Sequence, residues 1–214
     1  MSAIEVAKLL RDAALTPAEI RKAVFHLAKP ERADLYNENS ANHQSAAGKF
    51  FEALVYEILL TESAANPAID KIAAKLSDAQ YVPYDKYAPD GLWYSKDGEI
   101  RFKARGRVIA EVDFLVRTAD GVLVFGEVAA AKTKGFAAEL ARKKELLSGL
   151  YHAPVGAVVV LPHKRAGGFV CLAKGDAYAI VEGAEAYRKV LASEVLRRNL
   201  SPTVCAKRVD GKEI

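Results

Sequence analysis

Residues 107–130 read RVIAEVDFLVRTADGVLVFGEVAA, and this stretch decides the fold. Two apolar runs rich in valine flank Thr118-Ala119-Asp120-Gly121, a turn sequence. The pattern predicts one strand over 107–117, a hairpin turn, and a second strand over 122–130. The second run is almost wholly apolar, which suits a central strand buried on both faces. Two carboxylates interrupt these runs, Asp113 and Glu127. Each is costly in a buried strand unless it is paired, hydrogen-bonded or bound to a metal ion. A tight turn at Ala119-Asp120 would set Asp113 roughly opposite Gly126, one position from Glu127. The two carboxylates could then converge near one end of the sheet, where oxygen donors suit a hard cation such as Mg²⁺.

Working outward, LWYS (92–95) and EIRFKA (99–104) read as strands around a Lys96-Asp97-Gly98 turn, and Arg105-Gly106 is a second break. A helix is expected over 135–151, a buried strand over VGAVVVLP (155–162), and one or two more in GGFVCLAK and AYAIVE. A helix follows over 184–200, and the tail from Ser201 is polar. Upstream, residues 3–15 carry an amphipathic stripe. Thr16-Pro17-Ala18-Glu19 is a helix start, and that helix should stop before Pro30. Residues 30–44 read as a loop or frayed helix. Ser45 caps a strong helix with Phe50, Phe51, Leu54, Val55, Ile58 and Leu59 on its buried face. PAIDKIAAKLSD (67–78) reads as a further helix, and YVPYDKYAPDG (81–91) as a loop. The expected class is therefore α/β, a mixed central sheet flanked by helices. The expected division is an N-terminal helical extension over 1–44, a core over 45–200 and a loose tail over 201–214.

The 214 residues are 51% hydrophobic and 27% charged, which supports a packed core and argues against wholesale disorder. No apolar run approaches the ~18 residues of a membrane span, and the first residues lack a secretory pattern. An intracellular, cytoplasmic protein is expected, with no membrane partner. Cys171 and Cys205 read as free thiols, and the four histidines form no zinc pattern. A net charge of +4 leans mildly toward polyanions.

The order helix glutamate, strand aspartate, hairpin, strand glutamate resembles the PD-(D/E)xK nuclease superfamily. The motifs are Gly48-Lys49-Phe50-Phe51-Glu52, Glu111-Val112-Asp113-Phe114 and Glu127-Val128-Ala129. They are similar to the Holliday-junction-resolvase-like and Mrr-like members, over roughly residues 45–182. The resemblance implies a restriction-endonuclease-like fold and a metal-dependent DNA endonuclease of repair, recombination or restriction. It implies that Asp113 and Glu127, with the Val128 carbonyl, hold Mg²⁺ (Mn²⁺ substituting), and that Glu52 orients water. It further implies a 5′-phosphate product, a homodimer and DNA as substrate, with a repair or helicase protein as a candidate partner. One position departs from the pattern. The family's lysine would fall at 129, which strand alternation sets on the side of Glu127, and here it is Ala129. Three readings stand open: a deliberate inactivating substitution, a lysine migrated to Lys132 or Lys134, or a natural pseudonuclease serving as a DNA-binding or scaffold subunit.

Lys49, Lys103, Arg105, Arg107, Lys134, Arg142 and Lys143 are candidate phosphate contacts. The bland alternative for Arg142-Lys143-Lys144 is a solvated helix face, and for Asp113 an ion pair with Arg101 or Lys103.

Overall fold

The computed structural model describes residues 1–74, 91–94, 100–128, 136–162 and 172–190. Its core is a five-stranded mixed sheet covered by helices on one face, and by a helix and a small second sheet on the other.

The chain opens with α1 (Ala3–Asp12), α2 (Pro17–His26), α3 (Lys29–Tyr36) and α4 (His43–Ala65). Each of the first two starts on a capping box. Ser2 and Glu5 bond each other's backbone amides, as do Thr16 and Glu19, with Pro17 in the first turn. Helix α1 buries Ala3, Val6, Ala7 and Leu10, a stripe at i, i+3, i+4 and i+7. Helix α2 ends at His26, before Pro30 as expected, and Pro30 lies in the first turn of α3, so about half of the 30–44 stretch, read as loop or frayed helix, is regular helix. Helix α4 begins at His43 with Asn42 as its N-cap, three residues before the expected cap at Ser45.

The strands are β1 (Ile69–Ala74), β2 (Gly91–Tyr94), β3 (Ile100–Ala104), β4 (Arg107–Val112), β5 (Phe114–Thr118), β6 (Leu123–Val128), β7 (Val155–Leu161) and β8 (Ala177–Ile180). Helix α5 (Phe136–Tyr151) lies between β6 and β7. The main sheet runs β1-β5-β6-β7-β8, antiparallel as far as β6 and parallel beyond it. Strands β2, β3 and β4 form a separate antiparallel sheet.

Two expectations fail here. The helix expected over 67–78 is instead strand β1, paired antiparallel with β5; its last residues, 75–78, lie outside the described residues. Ile69, Ile72 and Ala73 have helical spacing, but the open edge of β5 offers a hydrogen-bond ladder that outweighs so short a signal. The strand expected over 107–117 is two strands in two sheets, broken at a bend on Asp113.

The first helix of the expected N-terminal extension packs into the core. Ala3, Val6, Ala7 and Leu10 share one buried cluster with α4 and with Val116, Val124, Val158 and Val160 of the sheet. Helix α1 lies so close on β7 that a Cβ at Gly156 would stand 2.8 Å from the Ala3 methyl. On the opposite face, Leu115, Phe125, Val159 and Leu161 pack with Leu140 and Leu147 of α5 and with Ile100, Phe102 and Val112 of the small sheet. Among the described residues no helix is long and apolar enough to cross a membrane. The tail from 201 lies outside the described residues.

Candidate functional site

The β5–β6 hairpin sets the site. Its loop is three residues, Ala119–Gly121, with Gly121 at φ 80° closing the turn by a 2.9 Å bond to the Thr118 carbonyl. The extra loop residue moves the register by one from the tight-turn expectation. Phe114 pairs with Gly126, so Asp113 comes level with Glu127 rather than with Gly126. Gly126 is required here. Ring carbons of Phe114 lie 1.8–2.4 Å from where its Cβ would be.

Asp113 is held at the end of β5. Its amide donates to the Gly126 carbonyl at 3.1 Å. Its carboxylate Oδ2 accepts the Val128 amide at 2.7 Å. The side chain thus takes up a backbone donor of β6 just where the chain leaves for the other sheet.

Glu127 follows Phe125 by two residues, so its side chain lies on the α5 face of the sheet. There it meets Lys143, whose Nζ stands 2.6 Å from Glu127 Oε1 and 3.1 Å from Glu139. Lys143 is buried, its side chain 5% exposed, while Glu139 is 52% exposed. The reason is helical spacing. Leu140, Lys143 and Leu147 form one buried stripe at i, i+3 and i+7 along α5. A buried ammonium is tolerated only when paired, and removing one partner of such a pair costs roughly 3–5 kcal/mol.

Burial, and then the negative charge of Asp113, push the Glu127 carboxyl up to about 8, although Lys143 pulls the other way. A carboxyl raised above its ordinary 4.5 binds its proton more tightly in the folded state. Its stabilising contribution is complete below about pH 4.5 and is lost as pH rises through about 8. Urea unfolding in chelator should therefore show stability falling over that window, by up to about 1.4 kcal/mol per pH unit from this group. Glu127→Gln should remove that part of the slope. An unchanged slope would mean that Glu127 titrates normally.

The remaining candidates divide. Glu52 is on α4, whose buried side chains pack on the sheet face opposite to Phe125. Among the described residues no three histidine, cysteine, aspartate or glutamate side chains come together to hold a metal ion, so Glu52 does not join Asp113 and Glu127. Ala129, Lys132 and Lys134 lie outside the described residues. Lys49 is ion-paired with Glu31 of α3, remote in the fold from the hairpin. Lys103 and Lys143 are 3% and 4% exposed, so neither offers a surface ammonium to a phosphate, and their place among surface contacts is corrected. Arg105 and Arg107 are exposed at the β3–β4 turn. Arg142 is exposed on α5 and donates to the Ile109 carbonyl of β4 at 2.7 Å, two residues from Arg107. Lys144 pairs at 2.6 Å with the buried Asp176 carboxylate, which also accepts the Ala157 amide. The basic triplet is thus not one uniform face: Arg142 is exposed, Lys143 buried and Lys144 half-buried. Each member has its own task. A strand-borne ion pair in the small sheet involves Arg101 with Glu111 at 3.2 Å.

A larger groove of about 1480 Å³ lies elsewhere, between α2, the start of α4 and residues 182–190. It is lined by Ile20, Phe51 and Tyr187 among others, and by none of Asp113, Glu127 and Lys143. The carboxylate pair is the better candidate, because a buried carboxyl with a raised pKa beside a buried cation is chemistry-bearing and a groove alone is not.

No known family's sequence profile matches the chain. Comparison with curated proteins gives no match. Among solved structures, the fold is similar to a crystal structure of protein VC1899 from Vibrio cholerae, at a TM-score of 0.40 and 13% identity. The match covers 90% of this chain and 52% of that one, so the chain spans about half of that protein's length. A likeness at this level says nothing of activity.

Proposed function

We propose that the chain is a Mg²⁺-dependent endodeoxyribonuclease on a restriction-endonuclease-like fold. The observation that carries this reading is the β5–β6 register, which, continued by one residue, sets Asp113 level with Glu127, whose carboxyl the Asp113 charge pushes up. The donor set fits a hard dication. Mg²⁺ takes one or two carboxylates and keeps several waters, so two acidic residues suffice. Asp113 and Glu127 would hold it, with the Val128 carbonyl as a third oxygen. When bound, it supplies charge neutralisation at a phosphoryl group and a more acidic water. The chain's own residues supply orientation. The Val128 amide fixes one oxygen of Asp113, and Lys143 fixes one oxygen of Glu127. Hydrolysis forms a bond from water oxygen to phosphorus and breaks the P–O3′ bond, whose electron pair stays on O3′. Water loses a proton, O3′ gains one, and the product carries a 5′-phosphate.

DNA is the substrate this reading names, within the cell, with Arg105, Arg107 and Arg142 as the exposed phosphate contacts nearest the hairpin in the fold. A homodimer would place two such sites on two strands. A repair or helicase protein is the class of partner that this chemistry would serve.

A second reading rests on Ala129, which stands in the sequence where the resembled family carries its lysine. It makes the chain a DNA-binding or scaffold subunit on a degenerate nuclease fold. One experiment separates the two. Plasmid and branched DNA are incubated with the chain in Mg²⁺ or Mn²⁺, and Mg²⁺ binding is followed by calorimetry. Metal-dependent nicking, abolished by chelator, is expected. Tight DNA binding with neither cutting nor Mg²⁺ uptake would favour the scaffold.

A further inference from the structure

We infer that Lys143 is the fixed cation of this site, and that it does from α5 what position 129 of the chain cannot do. The inference rests on the nuclease reading and goes beyond it by naming the residue that supplies the missing positive charge.

The argument starts from placement. Lys143 stands on the buried stripe of α5 between Leu140 and Leu147, where an apolar side chain would pack without desolvation cost. Its ammonium is aimed at one target on the sheet, Glu127 Oε1, at 2.6 Å. Its neighbours in sequence are used for joining elements: Arg142 ties α5 to β4, and Lys144 ties it to Asp176 ahead of β8. Those two contacts already fasten the helix to the elements on either side. Lys143 is the member of the triplet that reaches a carboxylate of the candidate site. Glu139, one turn before it on the same helix, holds the ammonium from behind at 3.1 Å and so limits where it can swing.

Lys143 touches Glu127 and not the phosphate, so it is a positioning residue. It selects one orientation of the Glu127 carboxylate. It also sets a positive charge one carboxylate away from the reacting group, in a poorly solvated place where charge acts over a longer distance than in water. In the family the chain resembles, the ammonium comes instead from a lysine two residues after the strand glutamate, the place that Ala129 holds here.

That equivalence gives the test. Five chains are compared: unmodified, Lys143→Met, Lys143→Gln, Ala129→Lys, and Lys143→Met with Ala129→Lys. Plasmid nicking at saturating Mg²⁺ and the Mg²⁺ dissociation constant by calorimetry are both measured, with thermal unfolding as the control for folding. Lys143→Met and Lys143→Gln are each expected to nick at least about 100-fold more slowly. Glutamine keeps a hydrogen-bond donor without the charge, so its loss should match that of methionine. Both should bind Mg²⁺ within about tenfold of the unmodified chain, since the carboxylates remain. Ala129→Lys in the Lys143→Met chain should restore at least about tenfold of the rate.

Three results would overturn the inference. The first is nicking by either Lys143 variant within about threefold of the unmodified chain. The second is a Mg²⁺ affinity that falls in step with the rate, which makes Lys143 a mere shaper of the carboxylates. The third is nicking switched on by Ala129→Lys alone in an otherwise inert chain, which shows that the site had lacked its ammonium and leaves the nuclease reading intact. Failure of that reading has a different signature. No chain of the set would nick, and none would take up Mg²⁺; the inference would then fall with it.

Discussion

Asp113→Asn is expected to lower Mg²⁺-dependent nicking by at least about 100-fold, a larger loss than outer partners of metal ligands usually give. The substitution is close to isosteric, and its amide oxygen can still accept the Val128 amide that Oδ2 now accepts at 2.7 Å. The bend between β4 and β5 should therefore survive, and the chain should unfold at nearly its original temperature. What disappears is one negative charge level with Glu127. Mg²⁺ affinity should fall with it. A second readout follows from the same charge. Asp113 is one of the causes that hold the Glu127 carboxyl near 8, after burial itself. With asparagine in place, the pH window over which stability falls should end lower. Undiminished nicking, or an unmoved window, would separate the two carboxylates and remove the basis for a shared ion.

Gly126→Val should be the most damaging single substitution for stability in the hairpin, by about 3 kcal/mol or more. The Phe114 ring lies across Gly126, its nearest carbon 1.8 Å from the missing Cβ, and Phe114 itself is 2% exposed. The ring has no open place to retreat to, since Val116 and Val124 fill the same face of the sheet. Even Gly126→Ala must displace it. The check is a double substitution in urea unfolding. Phe114→Ala should cost several kcal/mol alone, as large-to-small core changes do. Combined with Gly126→Ala it should cost less than the sum, because the second change fills part of the space left by the first. Strict additivity would show that ring and glycine do not share this space.

Signals contained within a few residues were legible in the sequence. Thr16-Pro17-Ala18-Glu19 announces α2 and its capping box, and Thr118–Gly121 announces the hairpin. The two site carboxylates were also legible, because a charge in an apolar strand demands a reason. Choices made by distant parts of the chain were not. Nothing in RVIAEVDFLVR marks a change of sheet at Asp113, since both halves are apolar enough for either sheet. Ile69 and Ile72 have helical spacing, and only the edge of β5 makes them a strand. Lys143 was taken with its basic neighbours as surface charge. Its signal lay across the helix rather than along the sequence, in its position between Leu140 and Leu147. Glu52 is part of the motif that the sequence offers for the site, and its helix packs on the sheet face opposite to Phe125.

The seating of α1 on β7 and β8 bears on how the molecule is made. The buried stripe of α1 belongs to residues 3–10, while the strands beneath it, Val155–Leu161 and Ala177–Ile180, come near the other end of the chain. Contacts of such long sequence separation require closing most of the chain into one loop before they return any energy, and chains rich in them fold slowly. During synthesis the first helix is finished early and its partner strands late. For that interval Val6 and Leu10 have no sheet to cover, and the apolar face of α4 waits for the same strands. A nascent chain at that stage carries its greatest exposed apolar area, and this is the stage at which a chaperone or an aggregate would compete for it.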